Sequence, residues 1–133
     1  MLRELTMKSN QREELIDITS RICDILSEAK VQNGVMHLFV PHTTAGITIN
    51  ENADPDVKTD ILALLRDKFP QSDRYAHSEG NSDAHIKASV MGFSLQVLFE
   101  KRSLVLGRWQ AIFFCEFDGP RTRKLLVKLV PHA

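Results

Sequence analysis

Apolar residues along the chain switch between two spacings, and the switches mark its elements. Leu2, Glu4 and Thr6 alternate with Arg3, Leu5 and Met7, which predicts an edge strand over Met1–Lys8. Gln11–Asp17 alternates in the same way, and with Ser9-Asn10 between them the two segments predict a hairpin. From Ile18 the period lengthens. Ile18, Ile22, Ile25, Leu26 and Ala29 fall on one face of a helix. Asp17 or Thr19 can cap its start, because a short side-chain oxygen accepts a free first-turn amide. Asn33-Gly34 is its expected end, since glycine tolerates the left-handed turn that stops a helix.

Val35–Val40 and Gly46–Asn50 read as strands, with Pro41 interrupting between them. Asp54-Pro55 then predicts a helix start: a side-chain cap followed by a proline whose missing amide costs nothing there. Val57, Ile61, Leu64, Leu65 and Lys68 mark its face, and Phe69-Pro70 its stop. Gln71–Asp83 is a polar connection. Ser82 or Asp83 caps a helix running to Met91, with Gly92 closing it and His85 in its first turn. Phe93, Leu95, Val97 and Phe99 alternate with polar positions as a half-buried strand. After a turn at Glu100–Ser103, strands are expected at Leu104–Leu106, Trp109–Phe117 and Arg121–Val130. Strands dominate, helices are inserted, and no βαβ alternation recurs. The pattern predicts an α+β fold with a mostly antiparallel sheet, as a single domain over residues 1–133.

Seventeen basic and seventeen acidic residues cancel. That balance gives no long-range pull toward nucleic acid or an anionic membrane, so neither is expected as a partner. The polar N-terminus and the lack of a long apolar run argue against a signal peptide or a spanning helix. A cytoplasmic location is the default expectation. Cys23 and Cys115 lie in apolar settings without CxxC spacing and are expected to be buried thiols.

Candidate chemistry concentrates at His42–Pro55, which packs an imidazole, threonine hydroxyls, amides and carboxylates between two ordered elements. His42, His77 and His85 each sit in a polar segment, whereas His37 lies within a strand and His132 near the C-terminus. Three imidazoles can supply the protein ligands of a metal that keeps an open position. Glu51, flanked by Asn50 and Asn52, can pair with an imidazole in acid–base work. Glu79-Gly80-Asn81-Ser82-Asp83 ahead of a helix offers backbone amides to an anion, or serves as plain capping. Arg121 and Arg123 project to one side of a strand, where guanidinium groups can hold phosphate.

Four blocks together resemble the YjbQ family, also called secondary thiamine-phosphate synthase: His42–Pro55, His77–Ser89, Leu106–Gln110 and Glu116–Arg121. They stand in that family's order and spacing and cover nearly the whole chain. The resemblance implies a homotrimer with a polar cleft containing the three histidines, and a divalent metal ion, zinc or magnesium, on His42, His77 and His85. It implies a transferase that joins hydroxymethylpyrimidine diphosphate to thiazole phosphate, giving thiamine phosphate and pyrophosphate. Glu51, Glu79, His77 and His85 are then the expected catalytic groups. Asn50, Asn52, Gly80, Asn81, Asp83, Trp109, Gln110 and Arg121 are the expected contacts to a small phosphorylated metabolite. Two departures stand out: Arg108 replaces the usual threonine, and Val97-Leu98 and Arg102-Ser103 replace a frequent proline and glycine. A metal-dependent hydrolase of a phosphorylated metabolite, or a non-catalytic binder of metal or phospholigand, are the rival readings.

Overall fold

The computed structural model describes residues 2–132. Met1 and Ala133, the ends of the expected 1–133 domain, lie outside the described residues. The strands are β1 (Leu2–Lys8), β2 (Glu14–Asp17), β3 (Gly34–Phe39), β4 (Ala45–Glu51), β5 (Ser94–Glu100), β6 (Ser103–Leu104), β7 (Gln110–Glu116) and β8 (Thr122–Pro131). The helices are α1 (Thr19–Ala29), α2 (Pro55–Lys68) and α3 (Ser82–Met91). A five-stranded sheet has the order β1-β8-β3-β5-β6, and a three-stranded sheet the order β2-β7-β4, with antiparallel pairing throughout. This is the expected α+β fold.

The core lies on both sides of β7. Ile112 and Phe114 face the larger sheet, meeting Met36, Leu38, Val97, Leu125 and Val127 with Ile22 and Leu26 of α1. Ala111, Phe113 and Cys115 face the other way, joining Leu15, Ala84, Ala88 and partly buried residues of α2 and α3. A strand covered on both faces needs an unbroken apolar run, and β7 supplies one.

Several local expectations need correction. The proposed hairpin does not form: β1 pairs with β8, Leu5 opposite Leu125, while β2 pairs with β7, Leu15 opposite Cys115. The chain changes sheets at Ser9, a buried residue whose hydroxyl donates to Glu116 and accepts from the Arg121 amide. Nor does Gly34 end α1. Lys30 takes the left-handed turn, at φ 58°. Gly34 instead starts β3 because a Cβ there would lie 2.2 Å from the Val130 carbonyl oxygen. The two strands expected at Leu104–Leu106 and Trp109–Phe117 shorten to β6 and β7. Asp54 caps α2 as expected, accepting from the Asp56 amide at 2.9 Å. Ser82 and Asp83 do not cap α3 with their side chains; Asn81 holds the cap position, and both face inward. No helix among the described residues is long and apolar enough to cross a membrane.

Cys115 is buried as expected, but Cys23 is exposed on α1, turned away from neighbouring Ile22, which is in the core. A thiol reagent is therefore expected to modify one of the two cysteines in the folded protein. Cys115 should react only after unfolding, because burial keeps it closed and raises its pKa. Two fast thiols in native buffer would contradict this packing.

Candidate functional site

A cavity of about 810 Å³ opens where β3 ends, the 41–44 loop turns, and α3 crosses the start of β8. Its volume suits a small metabolite. His42, Thr43, Thr44, His85, Arg121 and Arg123 give it a polar wall, and Phe39, Val40 and Phe93 an apolar one.

Arg123 is the unusual group. It stands in phase with Leu125, Val127 and Leu129 on the inward face of β8 and is 2% exposed. A buried guanidinium requires a counter-charge. Glu116, wholly buried at the end of β7, provides it. Nε donates to Oε1 at 2.9 Å, and Nη2 donates to Oε2 and to Thr44 Oγ1, the latter at 2.9 Å. Glu116 also accepts from Ser9 Oγ at 2.6 Å and the Asp118 amide at 3.0 Å. Burial pushes its pKa up, but the hydrogen bonds from Arg123, Ser9 and Asp118 outweigh this, and the carboxyl sits below its ordinary value. Nη1 of Arg123 makes no hydrogen bond among the described residues. The cavity thus has a fixed, desolvated cation with a donor to spare. The inward phase of Arg123 signals such a buried pair in the sequence, although nothing local identifies Glu116 as its partner.

Arg121, two residues earlier, is exposed. Its Nε and Nη2 donate to the Asp118 carbonyl and carboxylate at 2.8 and 3.1 Å. Asn81 donates to the same carboxylate oxygen at 2.9 Å, while its own Oδ1 is buried and unpartnered.

The three histidines meet in pairs and not around one point. His42 Nε2 accepts from the Lys124 amide at 2.9 Å, so the neutral ring carries its proton on Nδ1. Burial first, and the positive charge of Arg123 second, push its pKa down. His77 lies instead against His85, ring centres 5.3 Å apart and edge to face, beside a smaller cavity bounded by Tyr75 and Ile86. His85 lines both cavities. Among the described residues no three His, Cys, Asp or Glu side chains group as metal ligands. The expected centre on His42, His77 and His85 therefore does not fit within one chain, and no step is assigned to a metal.

Other expected contacts also disperse. Asp83 cannot serve phosphate: its buried carboxylate takes both Arg12 Nη atoms at 3.0 and 3.1 Å and Lys87 Nζ at 2.7 Å. It pins α3 to the segment before β2. Glu79 lies 3.8 Å from His77 Nε2 and is exposed. Gly80 takes φ +80° and lends its carbonyl to Gln71. Glu51 sits at the far end of β4 opposite Gln110, roughly 20 Å from Ala45 at the cavity. It cannot pair with His85 in the same chain. Asn50 is exposed there too, its Oδ1 accepting from the Glu51 amide at 2.7 Å. Asn52, Trp109 and Gln110 line a separate groove.

The chain matches the family described as UPF0047 protein YjbQ-like over residues 3–132. It belongs to the UPF0047 family. The YjbQ-like chain is 52% identical over 130 residues to the UPF0047 protein MJ1081 of Methanocaldococcus jannaschii, covering 98% of this chain and 94% of that protein. It is 48% identical to UPF0047 protein YugU of Bacillus subtilis, covering 98% and 99%. A crystal structure of a YjbQ/UPF0047 family protein from Clostridium acetobutylicum superposes with TM-score 0.93 at 52% identity, covering 96% and 99%. The hypothetical protein APE1520 of Aeropyrum pernix superposes at 0.94 with 30% identity, covering 99% of each chain. Both structures share this chain's fold over nearly its whole length.

Proposed function

We propose that this UPF0047 protein is a transferase whose Arg123 cavity holds the phosphate of a small metabolite. The observation that carries the reading is the buried guanidinium, tied on one side to Glu116 and unpaired at Nη1, in a cavity also lined by Arg121, His42 and His85. The YjbQ resemblance supplies the reaction: thiazole phosphate nitrogen attacks the methylene carbon of hydroxymethylpyrimidine diphosphate, the carbon–oxygen bond breaks, and pyrophosphate leaves. Negative charge grows on the departing oxygen. Arg123 and Arg121 are placed to stabilise that charge without reorganising. His85, lining the same cavity, is the candidate to hold or deliver a proton there, and His42 Nδ1–H is a second donor.

Assembly into a homotrimer belongs to the same proposal. Leu98, Val35 and Val130 form one cross-strand row on the outer face of the larger sheet, with Leu98 and Val130 exposed. An apolar row of this kind supports burial against another copy.

The test incubates purified protein with both substrates and measures thiamine phosphate and pyrophosphate. Arg123→Lys keeps the charge but loses the planar fork, and is expected to lower turnover about 100-fold. Phosphate release without coupling would favour the hydrolase. Saturable binding without turnover would leave only a phospholigand-binding protein.

A further inference from the structure

We propose that, on the reading of the Arg123 cavity as a phosphate site, Asp118 is a positioning residue that holds the Arg121 guanidinium ready on the cavity wall. Arg121 lines the cavity, yet its side chain is 49% exposed. A long side chain in water samples many rotamers, and an anion that captures it must stop that motion. Fixing the side chain beforehand removes this cost from binding. Asp118 does so with its backbone and its carboxylate together. Arg121 Nε donates to the Asp118 carbonyl at 2.8 Å, and Nη2 donates to Oδ2 at 3.1 Å. The Arg121 backbone is held as well: its amide donates to Ser9 Oγ at 2.9 Å, and its carbonyl accepts from the Ser9 amide at 3.0 Å. Nη1 of Arg121 makes no hydrogen bond among the described residues, which leaves it for a guest.

Asp118 is itself braced, as a chance surface pair would not be. Its side chain is 16% exposed. Its amide donates to Glu116 Oε2 at 3.0 Å, and the Gly119 amide donates to the Arg12 carbonyl at 2.9 Å. Asn81 Nδ2 donates at 2.9 Å to the same Oδ2 that holds Arg121. The reverse amide orientation would set Asn81 Oδ1 against a carboxylate, so this hydrogen bond fixes the side chain. Oδ1 is left buried and without a partner. Asn81 is thus a strut between Asp118 and α3 rather than a contact to phosphate. The first turn of α3 starts on the Asn81 carbonyl, which accepts from the Ala84 and His85 amides at 3.0 and 3.3 Å. One carboxylate therefore links the 118–121 turn, which carries Arg121, to the helix that carries His85.

Charge alone predicts the opposite sign. A carboxylate beside the cavity repels an anion, so an Asp118 that did nothing for Arg121 would give tighter anion binding when removed. Positioning gives weaker binding. In calorimetric titration with inorganic pyrophosphate, Asp118→Ala should bind about fivefold more weakly than wild type. Asp118→Asn, which keeps one oxygen as acceptor, should fall between the two. In an Arg121→Ala background, Asp118→Ala should have no further effect, because its influence passes through Arg121. A second readout needs no ligand: rotation about the Arg121 Nε–Cζ bond should be slow in wild type, giving separate nitrogen NMR signals for Nη1 and Nη2 that merge in Asp118→Ala. Merged signals in wild type, signals that stay separate in Asp118→Ala, equal or tighter pyrophosphate binding in Asp118→Ala than in a wild type that binds, or an equal loss in the Arg121→Ala background would each overturn the role of Asp118. A wild type that binds no pyrophosphate would overturn the phosphate reading of the cavity instead, and the NMR comparison would then decide by itself whether Asp118 fixes Arg121.

Discussion

Arg123→Ala is expected to lower the stability of the protein by about 3–5 kcal/mol, a large share of the ~5–15 kcal/mol that holds a domain of this size together. The cause is what the substitution leaves behind. Glu116 is wholly buried and takes its charge balance from Arg123, keeping only Ser9 Oγ and the Asp118 amide when the guanidinium goes. An uncompensated buried carboxylate either stays charged at high cost or binds a proton. Thr44 also loses its Nη2 partner, which loosens the 41–44 loop on the cavity wall. Urea midpoints at pH 7 measure the loss. Pairing the variant with Glu116→Gln should recover much of it, because no charge is then left unpaired. A double variant as unstable as the sum of the two singles would show that the pair is not coupled.

The same residue separates stability from function. Arg123→Lys retains a positive charge for Glu116, so its stability loss should be clearly smaller than that of alanine. Yet it cannot present both the Glu116-facing nitrogens and a free Nη1 at once. Phosphate binding should therefore fall in the lysine variant even where the fold survives.

How much of this was legible in the sequence varies element by element. Asp54-Pro55 states a helix start locally, and the α2 cap forms as written. The unbroken run Ala111–Cys115 signals a strand covered on both faces, and β7 is one. The β1–β2 hairpin failed because pairing partners are chosen over long distances: Leu5 finds Leu125 and Leu15 finds Cys115. No residue near Ser9 announces that the chain changes sheets there. Within one chain the three histidines do not group, for the same reason. Their residue types were informative, but spacing along the chain carries no statement about convergence, and the Lys124 amide claims His42. Asp83 misled in a different way. A carboxylate at a helix start reads as a cap or an anion-site neighbour, while its ion partners sit 71 residues earlier, at Arg12, and four residues later, at Lys87. Only the second partner lies within local view.

Lys87→Met tests that network and should cost about 3–5 kcal/mol at pH 7. Lys87 is 1% exposed, and its ammonium lies 2.7 Å from both Asp83 Oδ2 and Glu13 Oε2. Methionine fills similar volume but leaves two buried carboxylates sharing Arg12 and Arg66. The pH dependence identifies the origin of the loss. Burial raises the pKa of Asp83 and of Glu13, but bonds from Arg12 and Lys87 to the first, and from Lys87 and Arg66 to the second, bring both below their ordinary values. A depressed folded pKa means that the unfolded chain binds protons first as pH falls. The stabilisation is complete above the unfolded values, roughly pH 4–4.5, and is lost as pH drops through the lower folded ones. Removing Lys87 lets both folded values rise, so the variant begins to bind protons in its native state at higher pH. The stability gap between wild type and Lys87→Met should therefore narrow steadily below about pH 4.5. A gap of constant size from pH 7 to pH 3 would assign the loss to packing of the lysine stem, and would remove the ion network as the clamp between α3 and the segment before β2.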